Sequence, residues 1–119
     1  MKNDTLTLPA FITKIKTAPE TVAFAETMAI VEANYSFSET AFTNGDTTNA
    51  AGENNGSCKV FALAQDLELT PTETLFCFGE FYRKDVLENP QGTDHQNIRN
   101  FQTHAWEGIS FTASPLQRK

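Results

Sequence analysis

The chain has 119 residues with ten Phe, two Tyr and one Trp, which suits one domain with one packed core and leaves little room for a second. Nine basic residues against 15 acidic ones give a formal net charge of −6, with no basic stripe. Nucleic acid and anionic membrane surfaces are therefore excluded as expected partners, because both are held through clustered Lys and Arg.

The first residues, MKNDTLTLPAFITKIKTAPE, contain no apolar run of the length a secretory signal or a membrane span needs. The two cysteines, Cys58 and Cys77, are too few for a disulfide framework. Together these point to a bacterial-type cytoplasm with reduced thiols. Dedicated injection into another cell, which needs no cleavable signal, stays open.

Proline marks three helix starts, at Pro9, Pro19 and Pro71. Its fixed φ is already helical, and the N–H it lacks would be unpaired there. A first short helix is expected over residues 8–16 and a second over 19–34, the latter burying Phe24, Met28, Val31 and Tyr35. Residues 35–43 alternate at Tyr35 and Phe37, and residues 107–111 alternate at Ile109 and Phe111; the two form a candidate small β element. Residues 43–56 hold several Asn and Gly without periodicity and read as a long polar loop, a feature that is usually functional.

A third helix is expected from Ser57, burying Val60, Phe61, Ala64 and Leu67. Thr70-Pro71-Thr72-Glu73 forms a capping box for a fourth, which carries Leu75, Phe78, Tyr82 and Val86 inward. Gly79 inside that helix suggests that a neighbouring backbone passes close. Thr93 or Asp94 then caps a fifth helix with Ile98, Phe101 and Ala105 inward, and residues 113–119 read as a frayed tail. The fold class is mainly α, or α+β if the short extended segments pair, with about five helices in a single domain over residues 1–119.

Two stretches carry candidate chemistry. In GENNGSCKVFALAQ, Ser57 reads as the N-cap and Cys58 as the first helical residue. There the helix dipole and Lys59 would lower the thiol pKa. With His95 as base and Glu53 or Asp94 as orienter, this outlines a Cys–His nucleophilic site. The competing reading is a small inert buried thiol. A phosphate loop is rejected: three residues separate Gly52 from Gly56 where four are needed, and Ser57-Cys58 intervene before Lys59.

In GTDHQNIRNFQTHAW, the polar residues Asp94, His95, Asn97, Arg99 and Asn100 could line a cleft opposite Ile98 and Phe101. His95 and His104 are nine positions apart, too far for two ligands on one helical turn, so no metal is expected from them with Asp94 or Glu88. Arg83 and Lys84 could take a carboxylate partner such as Glu32 or Asp85, and Trp106 reads as core.

The phrases ETMAIVEANYSFSETAFTNG, NAAGENNGSCKVFALAQ, CFGEFYRKDVLENPQGTDHQNIRNF and WEGISF, in this order over residues 24–111, resemble the HopJ type III effector family. The resemblance implies a bacterial protein that can be injected into a host cell. It brings no catalytic residue and no cofactor with it. The expected function is binding of a protein or a small polar ligand at a surface built from Asn54, Asn55, Arg83, Asp94, His95 and Asn97, without a cofactor. The alternative is a cysteine-dependent hydrolase or transferase using Cys58 and His95, with Glu53 as a further candidate. A redox- or metal-linked protein is a third reading.

Overall fold

A computed structural model describes residues 7–119; what the sequence suggests of residues 1–6 lies outside them. Helix α1 spans Leu8–Thr17, where Thr7 Oγ1 accepts from the Ala10 N–H at 3.2 Å and Pro9 sits in the first turn. Its inward residues are Phe11 and Ile15, both fully buried.

The helix expected over 19–34 is divided. Pro19–Thr21 form a single 3₁₀ turn, Val22 and Ala23 are extended, and α2 spans Phe24–Asn34. Val22, in this extended pair, lies in the core at 0% exposure. Two carboxylates serve the start of α2, since Ala23 has no side-chain acceptor. Glu26 accepts from the Ala23 N–H at 2.9 Å, and Glu80 accepts from the Phe24 N–H at 3.0 Å. The buried stripe of α2 is Thr27, Ile30 and Val31, with Phe24 and Met28 only half-buried.

The polar stretch after α2 is more ordered than the sequence suggests. Strand β1 is Tyr35–Phe37, β2 is Phe42–Asn44 and β3 is Thr47–Asn49; β2 and β3 form an antiparallel hairpin turned at Gly45 and Asp46. Gly45 has φ +61°, the left-handed conformation that a tight hairpin turn requires. What stays irregular is the shorter stretch from Ala50 to Asn54.

Helix α3 spans Asn55–Asp66, so it starts two residues before Ser57, with Asn54 as its left-handed cap at φ +53°. Helix α4 is only Pro71–Phe76, opened by the expected Thr70–Glu73 capping box. It stops because Gly79 adopts φ +61°, and the chain resumes as a π-helical turn over Phe81–Val86. A Cβ on Gly79 would collide with the backbone of Ala23 and Phe24, which is the close backbone approach expected from the sequence. Helix α5 spans Gln96–His104, starting after Thr93 and Asp94 because His95 takes the left-handed cap position at φ +50°. A 3₁₀ turn, Ala105–Gly108, leads into β4, Ile109–Phe111.

Strand β4 pairs antiparallel with β2, Phe42 opposite Phe111, giving the sheet order β3-β2-β4. The tail is not frayed: Pro115 is buried, and β5, Leu116–Arg118, pairs antiparallel with β1. Arg118 also reaches Asp66 at 2.8 Å, and Asp66 accepts from the Tyr35 hydroxyl at 2.5 Å. The fold is α+β. Phe61 on α3 sits at its centre, with the rings of Phe42, Phe78, Phe101 and Trp106 centred 5.0–6.4 Å away.

Candidate functional site between two helix starts

Asn54 and His95 occupy equivalent places in the chain: each is a non-glycine residue at positive φ immediately before a helix. Such a conformation costs of order 1–2 kcal/mol and persists where surrounding contacts hold it. For Asn54 the contact is a hydrogen bond from its Nδ2 to Asn49 Oδ1 at 2.7 Å. For His95 it is Asp85, whose Oδ2 lies 3.0 Å from Nε2, together with the Phe81 ring, centred 5.4 Å from the imidazole. Both residues line the same cavity, of about 470 Å³.

Three groups wall this cavity. Asn54, Gly56 and Ser57 come from the start of α3, His95, Gln96, Asn97 and Ile98 from the start of α5, and Phe24, Phe78 and Phe81 form the aromatic side, with Thr47 at the hairpin. Phe24 and Phe81 meet edge to face at 5.0 Å. Gly56 keeps space beside Phe24: a Cβ there would lie 3.1 Å from Phe24 Cζ. Neither helix has a side-chain cap, so the first-turn N–H groups of both are left without that partner.

Behind the cavity, a cluster of buried amides ties the hairpin to both helix starts. Asn44 Nδ2 donates to the Asn97 carbonyl at 2.7 Å and to Asn97 Oδ1 at 3.0 Å. Asn49 Nδ2 donates to Asn97 Oδ1 at 3.3 Å, and Asn97 Nδ2 donates to Asn49 Oδ1 at 3.1 Å. Asn100 Nδ2 adds bonds to the Asn44 carbonyl and to Thr47 Oγ1. Asn44, Asn49 and Asn97 are 0%, 1% and 6% exposed. All three Nδ2 donors and the Oδ1 atoms of Asn49 and Asn97 are bonded, as burial demands because an unpaired group costs about 1–3 kcal/mol, whereas Asn44 Oδ1 is buried with no partner among the described residues. These asparagines therefore set the relative position of β2, β3, α3 and α5.

Of the residues nominated from sequence, Asn54, His95 and Asn97 come together here. The others go elsewhere. Arg83 Nη1 donates to the Val22 carbonyl at 2.5 Å and holds the entry to α2. Asp94 pairs with Arg99 at 2.7 Å on the surface, and that guanidinium holds its carboxyl below the usual range. Asn55 Nδ2 donates to Glu39 at 3.3 Å. Glu53 accepts from the Ala50 N–H at 2.9 Å and so closes a turn. The nearer carboxylate beside His95 is Asp85, with Asp94 Oδ2 at 3.9 Å from Nε2; sequence reasoning assigned Asp85 to Arg83 and Lys84, and a separation of ten positions that includes a π-helical turn gives it no recognisable spacing.

Cys58 is not brought to His95's cavity. Because α3 begins at Asn55, Cys58 is its fourth residue, its N–H already bonded to the Asn54 carbonyl at 3.0 Å. Its sulfur lies 3.8 Å from the Thr40 carbonyl, and the residue is 0% exposed. Burial pushes its thiol up to about 11, outweighing the opposing pull of Lys59. Cys77, also fully buried, is pushed up to about 12, again by burial. The arrangement lacks the exposed, low-pKa thiol that nucleophilic catalysis needs. Among the described residues, no group of three or more His, Cys, Asp or Glu could hold a metal ion, and no helix is long and apolar enough to cross a membrane.

The fold and this cavity define a small α+β domain with a polar–aromatic site between two helix starts. A family model identifies its kin: the chain belongs to the HopJ type III effector protein family, matched over residues 8–116. It is similar to the solved protein described as "Crystal structure of unknown function protein VPA0580", at 50% identity and a TM-score of 0.93, covering 100% of this chain and 97% of that one. No curated protein matches.

Proposed function

We propose that this chain is a small binding protein that takes a small polar molecule into the cavity between α3 and α5. The observation that carries this reading is the convergence of Asn54, His95 and Asn97, from separate segments, on one cavity walled by phenylalanines. Cavities of this size with an apolar lining and a few convergent polar groups are the usual seats of small ligands. The buried amide cluster supports it as well, since a preorganised site needs its polar groups held by others behind them. HopJ family membership suggests that the protein is delivered through a type III system, in which case the ligand would be met inside a host cell.

Two experiments test the two halves. Wild-type protein and Ser57→Trp, which fills the cavity mouth, are equilibrated with a small-molecule extract of cells, and the compounds retained are compared. The reading expects a compound held by wild type and lost from a folded Ser57→Trp; equal retention contradicts it. For delivery, a reporter fusion should enter host cells only when the type III apparatus is intact, and entry that ignores the apparatus, or no entry, contradicts it.

A further inference from the structure

We infer that a second surface, sharing no lining residue with that cavity, takes an extended, basic peptide of a partner protein as an added strand on the outer edge of β4 and β5. The pairings of β2 with β4 and of β1 with β5 keep one register, so residues 109–118 run as one strand alongside residues 35–44, interrupted at Ala113 and Ser114. The Gly45 N–H donates to the Gly108 carbonyl at 3.0 Å and the Thr112 N–H to the Ala41 carbonyl at 3.1 Å. Ser110, between them, therefore turns its backbone groups toward β2, while Ile109 and Phe111 turn theirs outward. On β5, the Ser38 N–H donates to the Pro115 carbonyl at 2.8 Å and the Lys119 N–H to the Asn34 carbonyl at 3.0 Å. By the same alternation Gln117 faces β1, and Leu116 and Arg118 face outward.

This outer edge has no strand beside it among the described residues, because β4 ends the order β3-β2-β4 and β5 has β1 as its one neighbour. The Ile109 N–H is taken by the Trp106 carbonyl, but the N–H and C=O of Phe111 and Leu116 have no backbone partner there. Ile109, Phe111 and Leu116 line a groove of about 590 Å³ whose other side is Ala62, Gln65 and Asp66 of α3; Ser110 and Gln117 are not in its lining. A groove between an edge strand and a helix suits strand addition: the edge supplies main-chain bonds, and alternate side chains of the guest meet the helix. Edges are normally protected by Lys, Pro or a bulge, and Ile109-Ser110-Phe111 has none of these. Pro115 directs its missing N–H toward β1 and leaves the outer edge intact.

Charge selects the occupant. The groove holds one titratable residue, Asp66, and an adjoining hollow of about 310 Å³, which shares Gln65, holds one more, Glu68. Neither lining includes Lys, Arg or His among the described residues. Arg118 and the Tyr35 hydroxyl both bind Asp66 Oδ2, which leaves Oδ1 for an incoming cation. Trp106 lines the second hollow beside Glu68 and gives such a cation an aromatic neighbour. A second copy would bring a chain of net charge −6 against these carboxylates, so a basic peptide is the better match.

The test begins with the free protein. The amides of Phe111 and Leu116 should exchange with D₂O faster than those of Ser110 and Gln117; slow exchange of both in a monomer overturns the open edge. Random octapeptides displayed on phage are then selected on the folded protein, and an enriched sequence is synthesised. The inference expects that peptide to carry Lys or Arg and to protect Phe111 and Leu116 on binding. N-methylation at alternate positions should weaken it about tenfold, with the intervening set tolerated. Ser114→Trp and Gln65→Trp, at two exposed positions in the groove, should each weaken binding, so one variant that fails to fold does not end the test. Ser57→Trp, which fills the other cavity, should leave it unchanged. No enriched peptide, an acidic one, indifference to both N-methylated sets, or shifts centred on residues 54–57 and 95–98 overturns the inference without touching the small-molecule reading. Protection of Phe111 and Leu116 that grows with protein concentration, without peptide, assigns the edge to a second copy and overturns it as well.

Discussion

Asn97 is the residue through which the amide cluster reaches α5, and Asn97→Ala tests whether that cluster holds the site. The substitution removes three side-chain hydrogen bonds: two accepted from Asn44 and Asn49, and one donated to Asn49. At about 0.5–1.5 kcal/mol net for each, the sum is about 1.5–4.5 kcal/mol. Every stripped partner keeps one bond. Asn44 retains the Asn97 carbonyl, Asn49 Nδ2 retains the Phe42 carbonyl, and Asn49 Oδ1 retains Asn54. No group is newly orphaned, so the expected loss lies toward the middle, about 2–3 kcal/mol, or roughly 8–12 °C in Tm for a domain of this size. Urea denaturation followed by Trp106 fluorescence and circular dichroism measures it. Asn97→Asp sharpens the test. The carboxylate could still accept two bonds but would face Asn49 Oδ1 with no donor, and burial would raise its pKa. A raised folded-state pKa means its stability is greatest below the unfolded carboxyl pKa near 4 and falls as pH rises. A loss under about 1 kcal/mol for Asn97→Ala would refute the idea that the cluster is what fixes the two helix starts.

Other consequences follow from single contacts. Gly79→Ala should destabilise by about 2–5 kcal/mol, since the left-handed φ and the collision with the Ala23–Phe24 backbone add; a thermal midpoint within a few degrees of wild type would contradict this. Burial, and then the bond to Asp66, push the Tyr35 phenol up to about 12. That raised pKa contributes stability present below the unfolded value of 10 and lost between about pH 10 and 12. Ultraviolet difference spectra should therefore show one phenol ionising near pH 12, and Asp66→Asn should lower it. Both thiols should resist alkylation near neutral pH until denaturant is added, because Cys58 and Cys77 are each 0% exposed. Rapid labelling of Cys58 in the folded protein would reopen the nucleophile reading.

The parts of the fold legible in the sequence are those governed by local or periodic chemistry. Pro9 and the Thr70–Glu73 box mark their helices, Phe61, Phe78 and Phe101 fall in the core, and Gly79 sits where two backbones touch. The hairpin was hidden because its inward residues are Asn44 and Asn49; alternation of apolar and polar residues cannot register a strand that buries amides. Strand β5 was hidden because three residues behind a proline carry almost no pattern, and its pairing with β1 is set by tertiary contacts. Both misplaced helix starts have one cause. Asn54 and His95 hold left-handed caps that rest on partners outside the helix, Asn49 and Asp85, rather than on a Ser or Thr cap. Of the six nominated binding residues, the three that line the candidate cavity, Asn54, His95 and Asn97, were legible from the polar loop and from the polar residues around Ile98. Its phenylalanine wall was not, since Phe24, Phe78 and Phe81 look like core in any helical pattern.

The most direct measurement of the central claim is where a small polar ligand docks, read by amide shifts on the ¹⁵N-labelled protein. The account predicts that shifts at residues 54–57 and 95–98 appear together with one titration curve and vanish in a folded Ser57→Trp variant. Shifts that centre on residues 113–116, or that persist unchanged in Ser57→Trp, would contradict it.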